Sequence, residues 1–228
     1  MKADRLLKPE VLGRIPLLSS LSAEELAQIA KHMRVEWFNK GEYVVHEGGD
    51  GNALMFLLTG RLQVFSYTHN GKEIGLHFLV PGNFFGELSL IDGQPRSASV
   101  KATDPSSVAF LERETALRLI YGRPALAEHM LKHLARTIRE LTKFRELLAI
   151  PKPQQRVVAL LKELKVTSHS GNFIVAMPTQ QQIASMIDTI RETVSRTLAK
   201  LQRSGILEKK KNQLIILDEK KLEKLLQE

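Results

Sequence analysis

Phe84-Phe-Gly-Glu-Leu-Ser-Leu-Ile-Asp-Gly-Gln-Pro-Arg-Ser-Ala98 is the stretch from which the 228-residue chain is best read. Gly86 lets the backbone pass close to a ligand. Glu87 to Leu90 can make one helical turn whose free N–H groups face an anion. Arg96 offers a planar fork of donors suited to two phosphate oxygens. Ser97 adds a hydroxyl and a backbone N–H. The Glu87 carboxylate repels phosphate and calls instead for hydroxyl donors, such as those of a ribose. A cationic fork, a helix start and one carboxylate within ten residues fit a small phosphorylated sugar. The structural alternative places Arg96 in an ion pair.

N-terminal to this stretch, Ser22-Ala-Glu-Glu25 is a capping box that opens an amphipathic helix from about Ala23 to Met33. From Val35 to Phe110 the pattern changes to short apolar runs broken by Gly, Asn and Asp. The runs are Tyr43–His46, Leu54–Leu58, Leu62–Tyr67, Ile74–Val80, Ser97–Ala102 and Val108–Leu111. Asn70-Gly71 between two of them signals a hairpin, because both residues accept positive φ. Many short strands at regular spacing predict a barrel or jelly roll.

C-terminal to it the period becomes helical. Pro124 to Ala149 holds no internal Gly or Pro and predicts one long helix. Leu131, Leu134, Ile138, Leu141 and Leu148 step by three and four, with Arg145 at the remaining seam position, which is the pattern of paired helices. Met130, Phe144 and Leu147 form a second apolar set, for packing on the helix's own barrel. His129 and His133, four apart, are expected to face solvent, and no metal site is expected. Ala149-Ile-Pro-Lys-Pro153 ends the helix and makes a hinge. A helix over Gln154–Lys165, a polar loop over 165–172 and a short strand from Phe173 follow. Thr179-Gln-Gln-Gln182 is a second capping box, opening a helix to about Ile187. Asp188-Thr189 turns into a helix from Ile190 to Ser204. A hairpin around Asn212 and a short helix capped by Asp218 complete the chain.

The pair Thr179–Ile187 and Ile190–Ser204 has helix-turn-helix proportions. Ile183, Ala184, Ile187, Val194, Leu198 and Leu201 supply its buried faces. Arg191, Glu192, Ser195 and Arg196 share the exposed N-terminal face of the second helix, the end that enters a major groove in this motif. Arg can grip guanine O6 and N7, and Glu can accept from cytosine N4. Thr189-x-x-Glu192 also has the form of a capping box, a purely structural use for Glu192. Lys209, Lys210 and Lys211 in the hairpin read equally as phosphate contacts or as a solvated turn.

Charge supports the division. The net formal charge is +8, and residues 151–228 hold 14 Lys and Arg against 8 Asp and Glu, while residues 1–150 hold 19 against 17. A basic part beside a near-neutral one points to a polyanion partner on one side only. Cysteine is absent, which excludes disulfides and thiolate metal sites. No apolar run has membrane-crossing length and the charged N-terminus is unlike a signal peptide, so a cytoplasmic protein with no membrane partner is expected. No nucleophile–base constellation or Walker-type loop is present, and no enzyme is expected.

At Phe85-Gly-Glu-Leu88 and Arg96-Ser-Ala98 the sequence resembles the phosphate-binding cassette of the catabolite activator protein, or cyclic-AMP receptor, family of transcription regulators (CRP/FNR). The run Arg191-Glu-Thr-Val-Ser-Arg196 resembles the same family's reading helix. The resemblance spans the whole chain. It implies an α+β fold: a jelly-roll cyclic-nucleotide-binding barrel at 1–123, a long dimerisation helix and hinge at 124–150, and a winged helix-turn-helix at 151–228. It further implies that Gly86, Glu87, Leu88, Arg96, Ser97 and Ala98 line a ligand site, Glu87 on the ribose 2′-hydroxyl and Arg96 and Ser97 on the cyclic phosphate. Leu141 and Thr142 fall where the cyclic-AMP receptor has a Thr-Ser pair at the adenine. Only Thr142 keeps a hydroxyl, so cyclic AMP is favoured and cyclic GMP stays open. Arg191, Glu192 and Arg196 would read bases of a TGTGA-like half-site on double-stranded DNA, Ser195 matches the oxygen-sensing branch, and Thr179 and Gln180 would lie near phosphates. Asp188 stands where the family usually has Gly. A homodimer and contact with RNA polymerase are implied by the family alone. Two rival readings remain: a regulator of this fold that needs no nucleotide or answers another effector, and a nucleotide-binding module that regulates a protein partner.

Overall fold

A computed structural model describes residues 7–71, 73–167, 173–176, 178–210 and 213–226. The backbone packs as two compact units. One holds the chain through Arg136 apart from Glu73–Gly75; the other holds those three residues and the chain from Thr137 onward.

The first unit begins with helix α1 (Pro9–Leu12), a 3-10 turn at Pro16–Leu18 and helix α2 (Ala23–Lys31). The Ser22–Glu25 capping box forms with both of its reciprocal hydrogen bonds. The helix stops two residues before Met33, which instead opens strand β1 (Met33–Phe38). Strands β2 (Tyr43–Val45), β3 (Ala53–Tyr67), β4 (Glu73–Leu79) and β5 (Phe84–Phe85), helix α3 (Glu87–Asp92), strand β6 (Ser99–Glu112) and helices α4 (Arg113–Tyr121) and α5 (Pro124–Leu148) follow, the start of β4 and the part of α5 from Thr137 belonging to the second unit. The six strands form one sheet in the order β1-β6-β3-β4, with β2 added to β6 and β5 added to β3.

Two pairs of expected strands are each one long strand. Leu54–Leu58 and Leu62–Tyr67 both belong to β3, and Ser99–Ala102 and Val108–Leu111 both belong to β6. The break read at Gly60 is a set of register shifts between Leu57 and Leu62 against β6. Gly60 has φ +89°, and a Cβ there would lie 2.2 Å from Ser106 Oγ, so the bulge demands glycine. Alternation explains why Ala53–Leu58 is continuously apolar. Leu54 and Phe56 pack with Leu18, Leu111, Ile120 and Met130, while Met55 and Leu57 pack with Val64, Phe85, Val100 and Phe110. Both faces of β3 are buried, each such side chain contributing about 1.5–3 kcal/mol. At the Asn70-Gly71 turn only Gly71 takes positive φ (+74°), and its N–H donates to Thr68 O at 2.8 Å.

The second unit contains helix α6 (Pro153–Glu163), strands β7 (Lys165–Thr167) and β8 (Phe173–Ala176), helices α7 (Gln180–Met186) and α8 (Arg191–Arg203), strands β9 (Leu207–Lys210) and β10 (Gln213–Ile216), and helix α9 (Glu219–Lys224). The segment expected to be a polar loop after Glu163 starts with β7, because Lys165–Thr167 finds backbone partners on β8; residues 168–172 lie outside the described residues. The sheet runs β7-β8-β10-β9. Val157, Leu161, Ile183, Val194, Leu198, Leu201, Leu214 and Leu222 are buried. Asp218 caps α9, accepting from the Lys221 N–H at 2.9 Å. No helix among the described residues is long and apolar enough to cross a membrane.

Candidate functional site

The first cluster is built at the end of β5. Pairing of Met55 with Phe85 and Phe56 with Phe84 fixes where the chain arrives. Gly86, at φ +81°, then turns it into α3 as the N-cap. On the far side of α3, the Arg96 N–H donates to Gly49 O at 2.9 Å and the Gly48 N–H to Arg96 O at 2.8 Å. Ser89 Oγ donates to Pro95 O at 3.2 Å. Gly51 permits this closure, since a Cβ there would meet Ser89 Cβ at 2.4 Å.

These contacts bring Gly86, Glu87 and Arg96 together, with Ser97 and Leu88 exposed and Ala98 half-buried beside them. The Arg96 guanidinium is only 6% exposed as a residue. Its Nη1 donates to Gly86 O at 2.9 Å and its Nη2 to Ala53 O at 2.8 Å. The buried Nε has no hydrogen-bond partner. Burial lowers the Arg96 pKa, and the Glu87 charge opposes that fall. Burial raises the Glu87 carboxyl above its ordinary value, opposed by its own backbone N–H, by His133 and by Arg96. A buried donor without a partner beside a half-buried, desolvated carboxylate is costly unless a ligand completes it. The cradle therefore fits an anion on the arginine and hydroxyl donors on the carboxylate.

Gly86 is the steric condition for this arrangement. A Cβ on it would lie 2.3 Å from Arg96 Nη1 and 2.5 Å from Met55 Cε. Gly86→Ala is expected to shift the urea midpoint downward, by about 1–3 kcal/mol in stability, from left-handed strain and displacement of the arginine. A midpoint equal to that of the wild type would show that the arginine tether contributes nothing to the fold.

One expectation needs correction. His133 does not face solvent as His129 does. It is half-buried, its ring tilted 48° against that of Phe84 with centroids 4.3 Å apart and its Nε2 3.9 Å from Glu87 Oε1. The signal was present: His133 follows buried Met130 by three residues, so both share one helix face. Among the described residues no three His, Asp or Glu side chains gather as a metal site. Leu141 and Thr142 lie on α5 within the second unit; both are exposed, and Thr142 Oγ1 donates to Ile138 O at 3.0 Å.

The second cluster is the α7–turn–α8 pair. Thr179 and Gln182 form the full capping box that starts α7. Asp188 supplies the turn at φ +47°, the one non-glycine residue with positive φ among those described. An Asp accepts that conformation better than most side chains. Its carbonyl accepts from Arg156 Nη2 at 3.1 Å. The Thr189–Glu192 capping box does not form: the N-cap of α8 is Ile190, one residue later, with no side-chain cap. Glu192 is thus left exposed with Arg191 and Arg196, while Ser195 is half-buried. Thr179 is exposed and Gln180 half-buried. The predicted core positions Ile183, Ala184, Ile187, Val194, Leu198 and Leu201 are all buried. The sequence reading missed Thr193 and Thr197, which are buried on the same face, Thr197 Oγ1 donating to Thr193 O at 2.8 Å. Their four-residue spacing beside Val194 and Leu198 carried that signal.

Known proteins match both clusters. The cyclic nucleotide-binding domain family matches residues 35–121, and the Crp-like helix-turn-helix domain family matches residues 155–225. The cyclic AMP receptor protein of Thermus thermophilus is 33% identical over 193 residues, covering 84% of this chain and 88% of that one. A CooA mutant from Carboxydothermus hydrogenoformans superposes with a TM-score of 0.77 at 20% identity, covering 97% of this chain and 98% of that one. The c-di-GMP responsive global regulator CLP of Xanthomonas campestris gives a TM-score of 0.67 at 20% identity, covering 86% and 100%. A cyclic nucleotide-binding domain, a long helix and a Crp-like helix-turn-helix in one chain, with a relative matched at this identity over most of its length, leave one assignment: the chain belongs to the catabolite activator protein (CRP/FNR) family of DNA-binding transcription regulators.

Proposed function

We propose that this regulator is a cytoplasmic homodimer switched by a cyclic nucleotide, cyclic AMP before cyclic GMP, and that it grips a palindrome of TGTGA-like half-sites. The observation that carries this reading is the cradle itself: a buried arginine, tied to Gly86 O and Ala53 O with its Nε unpaired, close enough to the half-buried Glu87 carboxylate for each to shift the other's pKa. The cyclic phosphate would take Arg96 and Ser97, and the ribose hydroxyl Glu87, with Leu88 and Ala98 alongside. Leu141 and Thr142 would meet the base, where a single hydroxyl makes the preference for adenine weaker than in the cyclic-AMP receptor. The division at 1–123, 124–150 and 151–228 assigns sensing, pairing and reading to successive parts of the chain. RNA polymerase is the further partner the family implies.

A different effector is the second reading, favoured by the missing hydroxyl at Leu141 and by a same-fold regulator described as c-di-GMP responsive. The matched helix-turn-helix weighs against a module that acts on a protein partner.

Dimerisation rests on α5. Leu131, Ile138, Leu141 and Leu148 are 67%, 64%, 56% and 37% exposed, an apolar stripe at heptad spacing that water disfavours. Ligand would act through its differential affinity for two arrangements of that seam. Two reading helices would then meet half-sites about 34 Å apart. The test pairs sedimentation with a gel shift on the TGTGA palindrome, with and without cyclic nucleotide. Wild type should run as a dimer and shift the DNA more tightly with ligand. Ile138→Glu should weaken self-association by about 700-fold or more, since each of two seam positions loses about 2 kcal/mol or more. A wild type that is monomeric and indifferent to this DNA under both nucleotides would sink the proposal.

A further inference from the structure

His133 stands where the carboxylate of the candidate ligand site needs a counter-charge. Its ring packs on Phe84, the residue that enters the cradle, and its Nε2 lies 3.9 Å from Glu87 Oε1. The other cation near Glu87 is Arg96, which the phosphate would take and whose Nη atoms already donate to Gly86 O and Ala53 O. A ribose hydroxyl bonds best to an ionised carboxylate. A phosphate on Arg96 then places a second negative charge in the same cradle. One arginine would serve two anions unless a further cation is close.

We infer that His133 is a positioning residue of the nucleotide site whose protonated imidazolium holds the Glu87 carboxylate ionised and in place, so that nucleotide binding takes up a proton on His133 and weakens as pH rises. The inference rests on the cyclic-nucleotide reading given above. The charged neighbours decide its sign. Burial lowers His133 below the ordinary histidine value; Glu87 on α3 raises it, and Arg136 on α5 lowers it. Burial, and after it His133, lowers His77 on β4. A bound phosphate and a fully ionised Glu87 raise His133 further. The gain in affinity is therefore complete below the value of the free protein and is lost as pH rises through the value of the complex. A rise of about one unit on binding corresponds to a tenfold change in affinity.

Calorimetry on the full chain with cyclic AMP and cyclic GMP, in two buffers of unlike ionisation heat, reads the proton directly. Between about pH 5.5 and pH 8 the wild type should take up a fraction of a proton and lose about tenfold in affinity. His133→Gln should bind with no proton uptake and a flat profile, and His129→Gln, exposed on the same helix, should keep the wild-type profile. Heat without proton uptake in the wild type, or uptake retained in His133→Gln, overturns the inference alone. No heat with either nucleotide overturns the nucleotide reading and the inference with it. The pair itself is decided without ligand by NMR titration of the His133 ring. Its titration should move to lower pH in Glu87→Gln, and coincident curves would show that the two side chains are uncoupled.

Discussion

Arg96→Ala is expected to weaken cyclic AMP binding by about 30-fold to several-thousand-fold, because truncating one member of a buried charge pair costs about 2–5 kcal/mol. The expectation follows from where the guanidinium sits. It is buried, tied to Gly86 O and Ala53 O, with Nε unpaired. The arginine is thus held in the cradle before any ligand arrives, and little side-chain entropy remains to be lost on binding. The same two bonds give the substitution a structural cost of about 1–3 kcal/mol, from carbonyls left without a donor. Arg96→Lys separates the two effects. It keeps the charge but loses the fork, so it should fall between wild type and Arg96→Ala in affinity. Calorimetry on protein shown folded by its unfolding transition reads the outcome. Arg96→Ala binding within threefold of wild type would place the phosphate elsewhere.

The cassette was legible because its chemistry is local: a glycine, a carboxylate and an arginine joined by one short helix. The two capping boxes that formed, at Ser22 and Thr179, were legible for the same reason. What local sequence did not reveal was set by partners far along the chain. Thr59-Gly60-Arg61 reads as a turn between strands, yet pairing with β6 continues through it and absorbs Gly60 as a bulge against Pro105 and Ser106. The inward turn of Arg96 depends on Ala53 O, 43 residues earlier. His133 has a helical pattern compatible with solvent until β5 and α3 are packed against it. At the second site, Thr189 offered a cap that α8 does not use, since the helix starts after Ile190. Arg191, Glu192 and Arg196 on the exposed face of that helix were nonetheless legible from periodicity, because burial of Val194, Leu198 and Leu201 fixes it, whereas Ser195 lies half-buried at its edge.

That exposed face carries the second large effect. Arg191 opens α8 immediately after its N-cap, in the first turn, with Glu192 beside it and Arg196 on the next turn, all exposed. An arginine at a helix start can lie in the plane of a guanine edge and donate to both O6 and N7, worth about 1–3 kcal/mol in discrimination. In a two-fold dimer every protomer loses the contact, so Arg191→Ala should cost about 2–6 kcal/mol on a palindrome, or ~30-fold to 10⁴-fold. The loss should be confined to specific DNA. Changing the guanine that Arg191 reads should penalise the wild type and leave the variant unaffected. Lys209→Ala makes the contrast. Lys209 is exposed on β9 in the wing, with Lys210 placed 3.4 Å from Glu208 and Lys211 outside the described residues. A phosphate contact there carries no base information, so its removal should weaken all sequences alike and reduce the slope of log affinity against log salt by about two per dimer. Filter binding at several salt concentrations, on the palindrome and on its guanine-substituted form, distinguishes the two patterns. If Arg191→Ala instead lowers affinity equally on both duplexes and flattens the salt slope, Arg191 is a phosphate ligand, and sequence is read by Glu192 and Arg196.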